Sequence, residues 1–241
     1  MTASQLSSPQ ASADRVPPLE SGDALSEPLR ERLTRPEFER RYAAAAVTKA
    51  ELIEGVVYVA SPLGFQQHAE PHSRLDTWLG TYVAFTPGTR SGIEPTVRLD
   101  LDNEPQPDIV LMVDEAAGGQ ARLSEDGYLE GSPELVIEIA ASSAAIDLGD
   151  KKQVYRRNGV AEYLVWQVFE NKIDWYALTD GDYQLLPVDG GVICSRRFPG
   201  LWLAVAAMLR GEMAEVLTVL QAGLNSPEHA AFVAPAKQLP K

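Results

Sequence analysis

An acidic residue lies inside a run of apolar residues that is typical of a buried strand. The run Glu134–Ala140 reads Glu-Leu-Val-Ile-Glu-Ile-Ala, so that Glu138 stands between two isoleucines. A short, continuous apolar run of this length predicts a strand that is covered on both faces. An uncompensated charge at such a position would cost more than the roughly 5–15 kcal/mol by which a whole domain is stable. Glu138 must therefore be neutralised, paired with a basic side chain or bound to a metal ion.

A second acid and a lysine complete a candidate metal site. Asp108 opens the apolar run Ile109–Val113. Lys151 lies in the polar sequence Asp147–Lys152. If the strands of Asp108 and Glu138 are adjacent, their carboxylates can bind one Mg²⁺, which prefers oxygen ligands, and a nearby lysine can orient or deprotonate the attacking water. The alternative is a structural salt bridge between Glu138 and a helix lysine.

The acidic residues are concentrated around these motifs. The chain has a formal net charge of −13, and residues 100–150 contain thirteen acids and a single base, Arg122. Nonspecific affinity for nucleic acid comes from Lys and Arg that displace counterions from phosphate, so an acidic chain is expected to bind DNA weakly. Bound cations would offset part of this charge. A local basic patch lies beside the acids: Lys151, Lys152, Arg156 and Arg157.

The segment Asp147–Asn158 is predicted to be a helix. Residues four apart share a helix face, so Lys151 and Tyr155 are expected to project together. Lys152 points about 100° away from Lys151, so the two lysines are expected to have different roles. A solvated basic face is the alternative interpretation of this helix.

Other catalytic patterns are weak. His68 and His72 have the spacing of zinc ligands on a helix, but Pro71 would fit badly in a helical turn that contains both histidines. A surface or capping role is therefore expected for them. The sequence has neither a phosphate-binding glycine loop nor a nucleophile-elbow serine, so nucleotide hydrolysis and the common esterase mechanism are excluded.

Cysteine content and hydropathy indicate the cellular compartment. A single cysteine, Cys194, excludes an intramolecular disulfide and a cysteine-based zinc cluster, and it is expected to be buried without a catalytic role. No apolar run approaches the roughly 18 residues of a membrane span, and the start of the chain lacks a signal-peptide pattern. These features predict a cytoplasmic protein without membrane association.

The order of the predicted elements indicates an α/β fold. Strands at 134–140 and 162–168 with the helix between them form one crossover in a mixed sheet, followed by an antiparallel meander. The other predicted elements, in chain order, are a helix at 34–46, a strand or hairpin at 51–59, a helix at 68–85, a strand at 93–101 beside the Asp108 strand, a short helix near 116–123, strands at 173–178 and 183–188, and one or two helices at 199–220.

Three regions are predicted along the 241 residues. Residues 1–33 are rich in Ser, Pro and Ala without any period, so they are expected to be a disordered tail without chemistry. Residues 34–205 are expected to form the folded domain. Residues 206–241 are expected to form a C-terminal helix and a tail that is loose from Ser226.

Several short motifs together resemble a known nuclease family. They are Glu-Leu-Ile-Glu-Gly at 51–55, Gln-Pro-Asp at 106–108, Pro-Glu-Leu-Val-Ile-Glu-Ile at 133–139, Asp-Leu-Gly-Asp-Lys at 147–151, Tyr155, Gly159-Val160 and Glu162-Tyr163. Over about residues 34–205 this pattern resembles the Uma family of restriction endonucleases, which is placed in the PD-(D/E)xK nuclease superfamily. The resemblance is more specific than any one motif because order and spacing agree.

The resemblance implies a restriction-endonuclease-like α/β fold, with a mixed central sheet flanked by helices and an added antiparallel meander. It implies a Mg²⁺- or Mn²⁺-dependent endonuclease that hydrolyses DNA, with Asp108 and Glu138 binding the cation and Lys151 assisting the water. Glu54 or Glu51 matches the acid of the first motif, and Glu54 is taken as the further metal ligand, although either residue fits. DNA is the expected partner, and a homodimer is an option.

Three positions depart from the family pattern. The superfamily lysine two residues after the second acid would fall at Ala140, so the lysine is expected to have moved to Lys151 on the following helix. A Ser-Pro-Ser turn is replaced by Ala141-Ser142-Ser143, and Gln167 stands where an Asp often ends the next strand. A catalytically inactive module of the same fold that binds DNA or protein is therefore the alternative function, and a purely structural oligomeric protein is a third class.

Overall fold

The computed structural model describes residues 32–45, 49–59 and 64–234. Nearly all of the predicted N-terminal tail and the last seven residues of the predicted C-terminal tail lie outside these ranges. The predictions for those segments therefore stay predictions.

The N-terminal half contains the predicted hairpin and the predicted long helix. Its elements, in chain order, are α1 (Arg35–Ala44), β1 (Ala50–Ile53), β2 (Val56–Val59), a π-helical turn (Phe65–Ala69) that continues into α2 (Glu70–Phe85), β3 (Thr89–Ile93), β4 (Val97–Arg98), β5 (Ile109–Val113), a 3₁₀ turn (Glu115–Ala117), β6 (Arg122–Leu123) and β7 (Leu129–Glu130). β1 and β2 pair antiparallel, which confirms the hairpin at 51–59. The apolar face of α2 is buried, as its 3.6-residue period predicts.

The C-terminal half contains the crossover and the meander. Its elements are β8 (Leu135–Ala140), α3 (Ala144–Ile146), a second π-helical turn (Asp147–Lys151), α4 (Lys152–Arg157), β9 (Glu162–Gln167), β10 (Lys172–Thr179), β11 (Asp182–Leu185), β12 (Val192–Cys194), β13 (Trp202–Ala204), α5 (Val205–Arg210), α6 (Met213–Leu224) and α7 (Pro227–Val233). α3, the π turn and α4 follow one another directly. Gly159, with φ at +79°, lies just beyond the end of this helical segment.

The central sheet has six strands in the order β11-β10-β9-β8-β5-β3. β8 and β9 are parallel and are joined by the helical segment from α3 to α4, whereas the other neighbouring strands are antiparallel. A parallel pair requires such a crossover, while the antiparallel pairs β9-β10 and β10-β11 are joined by short turns. The predicted mixed α/β sheet with an antiparallel meander is confirmed.

Two apolar layers cover the faces of this sheet. On one face, α2 and α6 pack on the strands, and Trp78 of α2 meets Trp175 of β10 edge to face at 5.7 Å. On the other face, Tyr155 of α4 lies against Tyr163 of β9, with ring centres 5.1 Å apart. Burial of one large apolar side chain contributes about 1.5–3 kcal/mol, so both layers hold the fold together. Side chains alternate along a strand, so that Glu138 points to the α4 face.

The predicted strand at 93–101 is divided in the structure. Ile93 ends β3, which pairs with β5 as expected, and the chain then turns at Glu94, whose φ is +48°. Pro95 follows, and it has no N–H to donate to a neighbouring strand. The short helix expected near 116–123 is a single 3₁₀ turn followed by β6.

The predicted helices at 199–220 begin later than expected. Residues Trp202–Ala204 form β13 and pair with β12, because Gly200, with φ at +85°, places a turn before them. The segment expected to be loose from Ser226 contains α7, whose N-terminus is capped by the Ser226 side chain. Cys194, expected to be buried, is exposed because it points outward next to the buried Ile193. No helix among residues 32–45, 49–59 and 64–234 has the length and apolarity to cross a membrane.

Candidate functional site

The two predicted metal-binding acids lie opposite each other on neighbouring strands. The antiparallel register pairs Ile109 with Ile137, so that Asp108 and Glu138 follow as the next opposed positions. Both are almost completely buried, with 5% and 3% of their surface exposed. The backbone N–H of Ile139 donates to Oδ2 of Asp108 at 2.7 Å, which holds the Asp108 carboxylate against β8. The structure therefore brings together the two acids that the sequence singled out.

Lys151 reaches the same place from the crossover helix. Its Nζ lies 3.0 Å from Oε1 of Glu138, 3.0 Å from Oε2 of Glu51 and 3.6 Å from Oδ1 of Asp147. The hydroxyl of Tyr155 donates to the same Glu138 oxygen at 2.8 Å. The predicted common face of Lys151 and Tyr155 is thus confirmed, and the solvated basic face is excluded because both side chains are buried.

A π-helical turn forms the middle of the helical crossover segment. Asp147 and Lys151 are the first and last residues of that turn, and both side chains are buried. π turns occur mostly as single turns inserted into α-helices, often at functional sites, and they carry one residue more per hydrogen-bonded ring than an α turn. Lys152, the next residue, points elsewhere: its Nζ lies 3.5 Å from the centre of the Tyr176 ring.

The cluster places three acids, Glu51, Glu138 and Asp147, around one lysine, Lys151. Burial raises the pKa of the Glu138 carboxyl well above its usual range, and the nearby acids add to this effect, while Lys151 opposes it. Burial also raises the pKa of Asp147. Burial lowers the pKa of Lys151, but the surrounding carboxylates outweigh it and hold that pKa well above its usual range. Lys151 is therefore a cation at neutral pH.

His68 belongs to the site, so the predicted surface or capping role is wrong for this residue. The ring is buried, and its Nε2 lies 2.8 Å from Oδ1 of Asp108. Pro71 does not break the helix because it directly follows the π turn, where the Glu70 N–H donates to the Phe65 carbonyl and the regular i→i−4 pattern is already interrupted. The preceding π turn carries His68, so both histidines share one continuous helical segment, with the His68 and His72 rings 5.6 Å apart.

The His68 contact leads to a prediction on stability and pH. Burial raises the pKa of Asp108, but the hydrogen bond and the charge of His68, with smaller contributions, outweigh it and lower the pKa. A lowered folded-state pKa contributes stability above the unfolded value of 3.8, and that stability is lost as the pH falls through the folded pKa. His68→Ala is therefore expected to lower the free energy of unfolding by about 1.5–3 kcal/mol at pH 7. Urea unfolding at pH 7 and pH 3 measures this effect. The difference in free energy of unfolding between wild type and His68→Ala is expected to be smaller at pH 3. An equal difference at both pH values would contradict the account.

The structure distinguishes the two acids of the first motif. Oε1 of Glu51 accepts a hydrogen bond from the backbone N–H of Gln106 at 2.7 Å, while Oε2 faces Lys151. Glu54 lies in the β1-β2 turn with φ at +52° and forms an ion pair with Arg157. Glu54, taken from the sequence as the further ligand, does not join Asp108 and Glu138, and Glu51 is the acid that the fold brings to the cluster. Glu51 lies in strand β1 and Glu54 in the turn that follows it, and sequence spacing alone cannot show which of the two faces the cluster.

Asp147 was not assigned a role from the sequence. Its Oδ2 accepts a hydrogen bond from the Ser143 hydroxyl at 2.6 Å, and its Oδ1 is buried without a hydrogen-bond partner among the described residues. The signal that could have found it is the spacing of four residues between Asp147 and Lys151 on a predicted helix.

The sequence and the structure were compared with those of known proteins. The chain matches the Uma2 family, described as "Putative restriction endonuclease", over residues 35–206. The chain belongs to the Uma2 family. Its structure is similar to the crystal structure of a putative nuclease belonging to DUF820 from Anabaena variabilis, with a TM-score of 0.51 and 14% sequence identity over 75% of this chain and 97% of that chain. At this identity the likeness concerns the fold alone. No curated protein matches the chain.

The donor atoms of this Uma2 site fit a divalent cation of the kind that restriction-endonuclease-like proteins use. Mg²⁺ is commonly held by one or two carboxylates together with water and substrate phosphate. Asp108 and Glu138 supply two carboxylates, and Oε2 of Glu138 accepts no hydrogen bond from the described residues. In the described part of the chain no three His, Cys, Asp or Glu side chains are arranged to hold an ion by themselves. The fit is therefore to a two-carboxylate site, with the buried Asp147 carboxyl close to it.

Proposed function

We propose that the chain is a Mg²⁺- or Mn²⁺-dependent endonuclease that hydrolyses DNA phosphodiester bonds. In this proposal Asp108 and Glu138 hold the cation and Lys151 assists the attacking water. The observation that supports it best is the convergence of the three residues: two opposed, buried carboxylates and an ammonium 3.0 Å from one of them. The match to a family described as "Putative restriction endonuclease" supports this reaction class.

The side chains of the chain have distinct tasks in this reaction. A bound divalent cation polarises the phosphate and lowers the pKa of water. Lys151 stays protonated among the carboxylates, so it acts as a hydrogen-bond donor that orients water and offsets the charge of the transition state, and not as a base. Tyr155 and Ile139 fix the Glu138 and Asp108 carboxylates through hydrogen bonds at 2.8 and 2.7 Å. Hydrolysis then adds water across the P–O bond and leaves a phosphate monoester and a free hydroxyl.

A nicking assay tests the proposed function. Purified wild type is expected to convert supercoiled plasmid into open-circular or linear DNA with Mg²⁺ or Mn²⁺ and not with a chelator. Asp108→Asn is expected to lose this activity, because it removes a negative charge from one of two proposed ligands. The absence of cleavage with both ions, or undiminished cleavage by Asp108→Asn, would overturn the proposal.

The second candidate is a catalytically inactive module of the same fold that binds DNA or protein. Two observations favour it: Lys151 already forms ion pairs with three carboxylates, and the net charge of −13 disfavours DNA binding. An inactive module binds its partner without any cation-dependent cleavage. The nicking assay combined with a binding assay on the same DNA therefore separates the two candidates.

The position of Glu51 leads to a prediction on activity. Glu51→Gln removes one of the carboxylates that hold Lys151, and changes of such supporting groups typically reduce activity roughly 10- to 100-fold. Glu54→Gln is the matched control, because its exposed ion pair with Arg157 contributes at most about 1 kcal/mol and lies outside the cluster. Single-turnover cleavage rates measure both. A larger loss of cleavage rate in Glu54→Gln than in Glu51→Gln would show that Glu54, and not Glu51, is the hairpin acid that supports the site.

A further inference from the structure

Lys152 differs from the other lysines that the structure describes. Lys49, Lys151 and Lys172 each form an ion pair with a carboxylate. No carboxylate oxygen of the described residues lies within 4.0 Å of the Lys152 ammonium, which instead lies 3.5 Å from the centre of the Tyr176 ring. An aromatic ring attracts an ammonium through its quadrupole, without accepting a conventional hydrogen bond from each N–H. Lys152 is thus held in place while its donors stay available.

A second lysine is fixed beside the same ring. The hydroxyl of Tyr176 donates to Oδ2 of Asp174 at 3.3 Å, and Nζ of Lys172 donates to that oxygen at 2.8 Å. Nε2 of Gln167 donates to it at 2.6 Å, so the buried Asp174 carboxylate organises three donors. The Lys172 side chain itself is 55% exposed.

Basic side chains cluster around these residues. Lys152, Lys172 and Arg156 lie close to Asp174 and Asp182, and Arg156 lies 3.9 Å from Asp182. Three cations this close together can attract an anion locally, although the chain has a net charge of −13.

The strand register places this patch next to the candidate site. Glu138 of β8 pairs with Val165 of β9, and Val165 pairs with Asp174 of β10, so the two acids lie in one row and on one face of the sheet. Two strand spacings of about 4.8 Å separate them by about 10 Å. This distance is comparable with the spacing between neighbouring phosphates along one DNA strand, so a single strand can contact both places.

We propose that Lys152 and Lys172 form a binding site for a backbone phosphate of substrate DNA, close along the strand to the phosphate that is cleaved. The site rests on the proposed nuclease function and adds to it a substrate-binding surface. Tyr176 positions Lys152, and Asp174 positions Lys172. Two neighbouring lysines thus have different roles: Lys151 assists the chemical step, and Lys152 binds the DNA backbone.

The test is DNA binding as a function of salt, without chemistry. Fluorescence anisotropy measures the Kd for a mixed-sequence DNA duplex in an Asp108→Asn background with a chelator. Lys152→Gln and Lys172→Gln are each expected to raise the Kd roughly 3- to 10-fold at low salt and to reduce the slope of log K against log salt by about one. Arg210→Gln is the matched control. Arg210 is the last residue of α5, in the layer on the other sheet face, and it pairs with Glu212. Its replacement is expected to change neither the Kd nor the salt slope.

Variants of Tyr176 test whether its ring acts on DNA binding by positioning Lys152 or only by stabilising the fold. Tyr176→Phe keeps the ring over which Lys152 lies and is expected to bind DNA as the parent does, while Tyr176→Leu is expected to weaken binding as much as Lys152→Gln. Thermal melting confirms that each variant is folded. Unchanged Kd and slope in both lysine variants, with a parent that binds DNA, would overturn this site and leave the nuclease proposal standing. A parent that binds no DNA at low salt would overturn the phosphate site, and the nicking assay then decides on the nuclease proposal independently.

Discussion

Lys151→Ala is expected to abolish DNA cleavage and to lower the free energy of unfolding by about 3–5 kcal/mol. The reason is that Glu51, Glu138 and Asp147 share this one ammonium, and its loss leaves buried negative charges without compensation. A divalent cation is expected to restore part of the lost stability, because Asp108 and Glu138 remain. Urea unfolding with chelator and with Mg²⁺ measures the stability, and single-turnover kinetics measures the cleavage.

Lys152→Ala is the matched control for this prediction. The two lysines are neighbours, but Lys152 contacts the Tyr176 ring and not the carboxylates. The control is expected to keep the cleavage step and to weaken DNA binding by a uniform phosphate contribution. An equal loss of chemistry in both variants would show that the assignment of the lysine role is wrong.

Glu138→Gln is expected to stabilise the protein in the absence of a divalent cation. The folded-state pKa of Glu138 is raised, so its contribution to stability is fully present below the unfolded value of 4.5 and is lost as the pH rises through the folded pKa. Burial thus opposes ionisation of this carboxyl, and the uncharged amide removes this cost while Lys151 keeps Glu51 and Asp147 as partners. A gain of about 0.5–2 kcal/mol is the size usual for one stabilising change at a functional site.

The competing account of Glu138 is a purely structural salt bridge with Lys151, and it predicts the opposite sign. Loss of the Glu138 charge would then leave the ammonium poorly compensated and would destabilise the fold by on the order of 3 kcal/mol. Thermal melts of wild type and Glu138→Gln, in chelator and in excess Mg²⁺, decide between the accounts. A variant that melts below wild type in chelator, together with a wild type whose melting temperature does not rise with Mg²⁺, would favour the structural salt bridge.

The sequence predicts the sheet and the two opposed acids well because both follow from local patterns. An apolar run with an acid in it specifies a buried strand, and the helix between two such runs specifies the parallel pair β8-β9. His68 was missed because Pro71 argued against a helix, and the sequence does not show that the proline directly follows a π turn. The choice between Glu51 and Glu54 depends on the tertiary position of a hairpin.

Elements without a strong period are where sequence reasoning fails in this chain. Trp202 fits a helical pattern, yet its segment pairs with β12, because the turn at Gly200 brings it there. The contact of Lys152 with Tyr176 joins residues from a helix and a strand that are distant in sequence, and no local signal predicts it. Tertiary packing decides such cases, and local propensity has little weight.

Calorimetric titration with Mg²⁺ and Mn²⁺ tests the central claim most directly. Wild type is expected to bind a divalent cation, Asp108→Asn and Glu138→Gln are expected to lose that binding, and Lys152→Ala is expected to keep it. Heats of binding that are absent in wild type, or that persist unchanged in both acid variants, would contradict a cation site at Asp108 and Glu138.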